Sequence, residues 1–187
     1  MNMNKVFSVM MALLMALSMS AAERGKFIHV DNSVNKNLKP QLAFCQDHKD
    51  GADVTTLLVQ TVNVNNFNEF TDASRVLIRF ADEKAVRLNR VAGSEIVKRK
   101  YSKKNGNATI SYYETVSEYA VNQDVIDRLE AGTAIIKVRV VFKENDAKDY
   151  EIAEGYQQKM IQDLLKSYTE AAEKNKKAHG DMSDEDF

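Results

Sequence analysis

The chain has one cysteine, one proline and no tryptophan among its 187 residues. With Cys45 as the only cysteine, no internal disulfide can form, so the fold must rely on packing rather than on the cross-links that staple many small exported domains. This thiol lies beside Leu42 and Phe44, which predicts a buried, small hydrophobic residue. The lack of tryptophan argues against a sugar-binding platform, because such platforms tend to use that residue.

Signature motifs of common enzyme classes are also missing. The sequence contains no glycine-rich phosphate loop, no G-x-S-x-G, no H-E-x-x-H and no C-x-x-C. Catalytic groups can still converge from distant positions, so these absences weaken the enzyme hypothesis without excluding it. The sequence itself predicts no catalytic residue, no metal site and no cofactor.

An excess of positive charge is missing as well. The chain has 26 lysines and arginines against 27 aspartates and glutamates, a formal net charge of −1 at pH 7. A nucleic-acid-binding domain needs a basic surface that displaces counterions. We therefore expect no nucleic-acid partner.

The longest apolar run lies at the N-terminus, within residues 1–22. Lys5 gives a positive start, Val6 to Met19 is almost wholly apolar, and Ser20-Ala21-Ala22 ends the segment with small residues. This order is typical of a secretory signal peptide cleaved after Ala22. The run of about 14 residues is shorter than the roughly 20 that span a bilayer; an uncleaved anchor is the alternative. We expect an exported protein, periplasmic or secreted, with no membrane span in its mature form.

Alternating or continuous apolar residues predict several strands. The segments concerned are Val54 to Val64, Arg75 to Phe80, Ala85 to Val91, Ile96 to Tyr101, Ile110 to Val121 and Thr133 to Phe142. The second and third flank a four-residue polar break, which predicts a β-hairpin. Residues 47–53 are polar and contain Gly51, so we expect a loop there.

Two helices are expected near the C-terminal end. Asn122 is a typical N-cap and Gly132 a typical residue after a helix end, which predicts a short helix between them. Tyr156 to Ala178 carries an apolar stripe at helical spacing that fades after Ala172.

This order of elements lacks the regular βαβ alternation of a parallel sheet. We therefore predict an α+β fold: an antiparallel sheet of about six to eight strands, one short helix and one C-terminal amphipathic helix. A small β-barrel or sandwich with appended helices is the alternative. The expected organisation is a signal peptide at 1–22, a single domain at 23–172 and a charged, disordered tail at 173–187.

The tract from Tyr119 to Gly132, which runs into the basic and apolar strand Ile135 to Arg139, resembles one in small exported proteins of gut Bacteroidetes. The hairpin Val76 to Leu88 is similar in style, and the resemblance extends over about Arg75 to Tyr168. It implies an exported α+β fold in a Gram-negative envelope and supplies no catalytic residue.

Three tyrosines of one predicted strand, Tyr112, Tyr113 and Tyr119, are the candidate binding residues. Tyrosine suits recognition surfaces because it is large, mostly apolar and carries one polar group. The nearby cluster at Lys98 to Lys104 is interpreted as a solvated hairpin end, with attraction of anionic lipid headgroups or of an acidic partner as the alternative.

Two weaker constellations keep an enzyme hypothesis open. Glu114 and Glu118 share a strand face but lie about twice the spacing of adjacent same-face residues apart, which is wide for a carboxylate pair. Cys45 with His48 has the residue types of a nucleophile pair or of half a metal site.

The favoured function is that of a non-enzymatic exported protein that binds or stabilises another envelope or secreted component. A hydrolase of unfamiliar type and a small-ligand carrier with a dry cavity under the long helix are the alternatives. The sequence does not specify the oligomeric state.

Overall fold

A computed structural model describes residues 22–31, 38–144 and 146–179. The expected α+β fold with antiparallel sheet is confirmed. The strands are β1 (Glu23–Arg24), β2 (Ile28–His29), β3 (Gln41–Lys49), β4 (Ala52–Asn63), β5 (Arg75–Phe80), β6 (Ala85–Asn89), β7 (Val97–Asn105), β8 (Ala108–Ala120), β9 (Ile135–Lys143) and β10 (Asp146–Glu151). The helices are α1 (Gln123–Glu130) and α2 (Glu154–His179).

The strands form two sheets rather than the single sheet of six to eight strands expected from the sequence. The first has six strands in the order β1-β3-β4-β8-β7, with β2 also paired to β3. The second has four, in the order β10-β9-β5-β6. The division arises because β5 pairs with β9, far along the chain, and not with the neighbouring β4. Every pairing between these strands is antiparallel.

One hydrophobic core joins both sheets and both helices. It includes Phe44 and Leu57 of the first sheet, Ile78 and Val140 of the second, and Met160 of α2. Each fully buried side chain of this kind contributes about 1.5–3 kcal/mol. The core therefore holds the two sheets as one unit.

The local signals read from the sequence are confirmed. The hairpin β5–β6 closes over residues 81–84, where the Phe80 amide donates to the Lys84 carbonyl at 2.9 Å. Asn122 caps α1 by accepting a hydrogen bond from the Val125 amide. Gly132 follows α1 with φ of 70°, a conformation that glycine adopts without strain.

The predicted loop at 47–53 is wrong. Strand β3 continues to Lys49, and a tight turn at Asp50-Gly51, with φ of 52° and 80°, joins it to β4. Leu42 and Phe44 pair with Val59 and Leu57 in the register of the two strands. The backbone ladder that these buried pairs set continues through the polar segment, with Asp47 opposite Val54 and Lys49 opposite Ala52.

Helix α2 extends past residue 172, where the sequence placed the end of the domain. Asn175 is 1 % exposed and donates a hydrogen bond to Asp53 Oδ1 at 2.9 Å. The buried Asn175 side chain thus fixes the last turns of α2, where the apolar stripe is weak. Residues 180–187 of the predicted tail, and all of the predicted signal peptide except Ala22, lie outside the described residues. Neither described helix is long and apolar enough to cross a membrane.

Close backbone contact docks α2 on the first sheet. A Cβ placed on Gly25 would lie 1.9 Å from the Ser167 carbonyl oxygen. The Phe44 amide donates to Ser167 Oγ at 3.1 Å, and the Gly25 amide donates to the Phe44 carbonyl at 2.9 Å. Only glycine fits between the strand and the helix here.

Candidate functional site

Strands β7 and β8 form a long hairpin at one edge of the first sheet. Their register runs from Val97 opposite Val116 to Asn105 opposite Ala108, and Gly106 closes the turn with φ of 61°. No strand in the described part of the chain pairs with the outer side of β7. Its backbone hydrogen-bonding groups along that side are therefore open to a further strand.

The open strand carries a dense run of positive charge, at Lys98, Arg99, Lys100, Lys103 and Lys104. None of them lies within ion-pair distance of a carboxylate in residues 22–31, 38–144 and 146–179, although other surface cations do. Arg99 Nε, in addition, is buried and has no hydrogen-bond acceptor there. No ion pair within the described fold neutralises this charge.

One face of the hairpin stacks two tyrosines. The rings of Tyr101 and Tyr112 have centroids 5.3 Å apart and planes inclined by 17°. Lys103 Nζ lies 5.6 Å and 5.8 Å from the two ring centroids, and the Arg99 guanidinium lies 5.5 Å from that of Tyr101. Cations at these distances over aromatic rings are attracted by the ring quadrupole.

The opposite face carries a second aromatic pair. Tyr113 meets Phe67 edge-on, with centroids 5.1 Å apart and planes at 90°. Lys100 Nζ lies 5.1 Å from the Tyr113 centroid, and Lys98 Nζ lies 5.8 Å from that of Phe67. Because adjacent residues of a strand point to opposite faces, both sides of the hairpin present aromatic rings with lysine or arginine.

The prediction that Tyr119 shares this surface is wrong. Its side chain is 0 % exposed and belongs to the core between the sheets. Tyr112 and Tyr113 are partly exposed but lie on opposite faces, so the three tyrosines do not form one patch. Tyr101, which the sequence does not single out, is instead the tyrosine that stacks on Tyr112. Its cross-strand position opposite Tyr112 depends on the hairpin register, which the sequence signalled only through the turn at Asn105-Gly106.

Burial raises the pKa of the Tyr101 hydroxyl, and the nearby Glu114 carboxylate raises it further. The phenol therefore stays protonated well above neutral pH and keeps its O–H as a hydrogen-bond donor. The hairpin thus combines tyrosine rings with lysine and arginine side chains, an arrangement that attracts acidic groups that lie beside apolar ones.

Glu114 and Glu118 do not form a catalytic pair. Both side chains lie on one face of β8, but four residues of extended strand place them roughly 13 Å apart. The Thr56 hydroxyl donates to Glu118 Oε1 at 2.7 Å, and Glu114 is opposite Arg99 in the register. Each carboxylate has a structural neighbour of its own.

Cys45 and His48 are also kept apart. They are three residues apart on β3, so they point to opposite faces of the sheet. Burial raises the pKa of the Cys45 thiol to about 12, and the Glu118 carboxylate adds to the shift. His48 Nδ1 instead lies 2.9 Å from Asp53 Oδ1. The thiol is therefore not a ready nucleophile.

Small-molecule sites have limited support in the described structure. The hollow beside α2 measures about 190 Å³, and Lys26, Lys159, Asp163 and Glu170 are among the residues that line it, so it is not a dry cavity. A groove of about 320 Å³ runs past Cys45, Asp47 and Glu118. Within the described residues, no group of three or more His, Cys, Asp or Glu side chains is placed to hold a metal ion.

Comparison with protein-family models, with curated proteins and with solved structures finds no match for this chain.

Proposed function

We propose that this protein is a non-enzymatic exported binding protein, and that the open edge of β7 receives an extended acidic segment of another envelope or secreted protein. The observation that carries the proposal is the presence of unneutralised cations and aromatic rings on both faces of one open strand. We call this edge, with Tyr112, Tyr113 and Phe67 behind it, the β7 edge.

Addition of a partner strand explains why both faces of β7 carry cations and aromatic rings. A peptide that pairs with a sheet edge gains main-chain hydrogen bonds, and its alternate side chains fall on opposite faces. Acidic residues of such a peptide would meet Lys98 and Lys100 on one face and Arg99 and Lys103 on the other. Charge complementarity of this kind speeds association and excludes wrong partners.

The same charge argues against pairing with a second copy of the chain. Lysines on an edge strand discourage identical edges from joining, because the like charges repel. An acidic strand is attracted instead. The β7 edge is thus closed to self-association and open to a partner of opposite charge.

The export part of the proposal depends on residues 1–22, whose charged start, apolar run and small residues are typical of a secretory signal. The resemblance to small exported proteins of gut Bacteroidetes supports the same setting. A partner in the periplasm or outside the cell follows from it.

The test is an affinity capture from envelope extract of the source organism with residues 23–187 as bait. Lys98→Glu/Lys100→Glu is compared with Lys176→Glu/Lys177→Glu, an equal charge change at exposed positions of α2. We expect the partner to be lost with the first pair and retained with the second. Hydrogen exchange of the complex should show new protection of β7 amides.

Equal retention by both double variants, or binding without added protection of β7, contradicts the proposal. A bait that retains no protein at low salt contradicts it as well, because an electrostatic partner binds most strongly there.

A further inference from the structure

A second basic surface lies on the solvent-facing side of the four-stranded sheet, none of whose strands pairs with β7. In β5, β6 and β9 alternate residues point away from the core, and six of them are cationic: Arg75, Arg79, Arg87, Lys137, Arg139 and Lys143, the last paired with Glu69. Leu77 lies among them, paired with Arg87 on one side and Arg139 on the other. We call this surface the arginine face.

The register sets like charges directly opposite each other. Arg79 of β5 pairs with Lys137 of β9. Like charges at directly opposed positions destabilise an antiparallel pair, whereas most cross-strand pairs stabilise it. The arrangement thus works against the stability of the sheet, and a bound anion would offset the repulsion.

Within the described structure, the carboxylates of β10 neutralise cations of β9 but none of β5 or β6. Asp149 of β10 accepts a two-pronged hydrogen bond from Arg139, at 2.5 Å and 2.7 Å, and lies 3.3 Å from Lys137 Nζ. Glu151 lies 2.7 Å from the same lysine. Arg75, Arg79 and Arg87 have no carboxylate within ion-pair distance among the described residues, so three of the six cations of this face have no carboxylate partner there.

A cavity of about 180 Å³ opens between these side chains. Leu77 and Ala85 form its apolar part, and Arg79, Lys137 and Arg139 supply the cationic part. The short Ala85 side chain leaves room between longer ones. Three cations from two strands converge on one space large enough for a tetrahedral oxyanion.

We propose that this cavity binds the phosphate or sulfate group of an anionic ligand. When it is terminal or free, such a group has at least three outer oxygens, enough to accept from Arg79, Lys137 and Arg139 together, whereas a carboxylate or a phosphodiester has two. Guanidinium groups match phosphate geometry with paired N–H donors. Asp149 occupies the Arg139 donors in the free protein and competes with the incoming anion.

The test titrates the full chain with inorganic phosphate, sulfate and acetate at constant ionic strength, by NMR of backbone amides. We expect phosphate and sulfate to shift β5 and β9 resonances, with acetate at least about tenfold weaker. Arg79→Ala should weaken phosphate binding about tenfold, as expected for loss of one charge-assisted contact. Arg24→Ala, an exposed arginine of β1, is the matched control and should bind as the parent does.

Asp149→Asn gives a prediction of opposite sign, because removal of the competing carboxylate should tighten phosphate binding.

Vesicles of phosphatidylcholine with and without phosphatidic acid identify the source of the group. Binding to the acidic vesicles alone assigns a lipid headgroup, and binding of the soluble anions assigns a free or soluble phosphate. Equal affinity for acetate, an unchanged Arg79→Ala variant, or no binding to any of these probes overturns the proposal.

Discussion

Asn175 donates a hydrogen bond to Asp53 at 2.9 Å, although the two residues are 122 positions apart in the chain. The same Asp53 oxygen lies 2.9 Å from His48 Nδ1, and the rings of His48 and His179 stack with centroids 5.5 Å apart. The last turns of α2 are therefore fastened to the turn between β3 and β4.

Replacement of Asn175 by alanine should release this end of the helix. One buried side-chain hydrogen bond contributes about 1 kcal/mol. We expect a fall of that size in the free energy of unfolding, with faster amide exchange confined to the last two turns of α2. Lys176→Ala, at the neighbouring exposed position, is the control, and equal exchange in both variants would show that Asn175 is not the anchor.

Gly25→Ala should destabilise the protein, because the new Cβ would lie 1.9 Å from the Ser167 carbonyl oxygen and 2.5 Å from its Oγ. Overpacking of this kind costs about 1–3 kcal/mol. Gly155→Ala is the matched control, because nothing lies within 4 Å of its Cβ position. Urea unfolding should show a loss for the first variant and a neutral or slightly stabilising effect for the second.

Tyr119→Ala should cost about 3–5 kcal/mol, as is usual when a large buried aromatic side chain is removed. Tyr112→Ala, on the partly exposed hairpin face, should leave the free energy of unfolding within about 0.5 kcal/mol of the parent. Thermal unfolding of the two variants checks this. Similar effects would contradict the placement of Tyr119 in the core.

The thiol of Cys45 should react slowly with a disulfide reagent in the folded protein. Burial holds its pKa at about 12, so very little thiolate exists at pH 8, whereas a free cysteine with an ordinary pKa of about 8.5 is partly ionised there. We expect a rate at least about 100-fold below that of the unfolded chain in guanidinium. Because the chain has one cysteine, the signal has a single source.

Acid should weaken the ion pairs beside the arginine face. The Arg139 guanidinium, and then Lys137, hold the pKa of Asp149 at about 2, below the ordinary aspartate value of 3.8. A depressed folded-state pKa contributes stability that is present above the unfolded pKa and is lost as the pH falls through the folded one. The stability difference between the parent and Asp149→Asn should be constant above pH 5 and decline between about pH 4 and pH 2. A difference that is independent of pH over this range would contradict the pairing.

Local signals in the sequence were sufficient where a structure depends on neighbouring residues. The hairpin β5–β6 and the capped helix α1 each need only a turn, an alternation or a cap, and Asn122 and Gly132 supply them within a few positions. Strand β3 was not predicted, because its last residues are polar and its partners in β4 determine its conformation. Helix α2 was predicted to Ala178, close to its observed end, but the domain was ended at residue 172, because Asn175 looks like a solvated residue until Asp53 is placed beside it.

In the candidate site, too, features set by neighbouring residues could be predicted, whereas those set by distant strands could not. Strand alternation already places Tyr112 and Tyr113 on opposite faces, and the five cations of β7 are visible in the sequence. The sequence does not show how far the core extends along β8. That extent buries Tyr119 and leaves Tyr112 partly exposed. The convergence of Arg79, Lys137 and Arg139 likewise required the long-range pairing of β5 with β9.

The contact of Gly25 with Ser167, which joins segments far apart in the chain, has a consequence for folding during synthesis. Phe44 is covered by Tyr168, with ring centroids 5.5 Å apart, and its amide is held by Ser167. A chain that emerges N-terminus first during synthesis therefore cannot complete this side of its core until α2 has followed. Until then the apolar side chains of its first strands stay in contact with water. Full stability should appear only on release of the whole polypeptide.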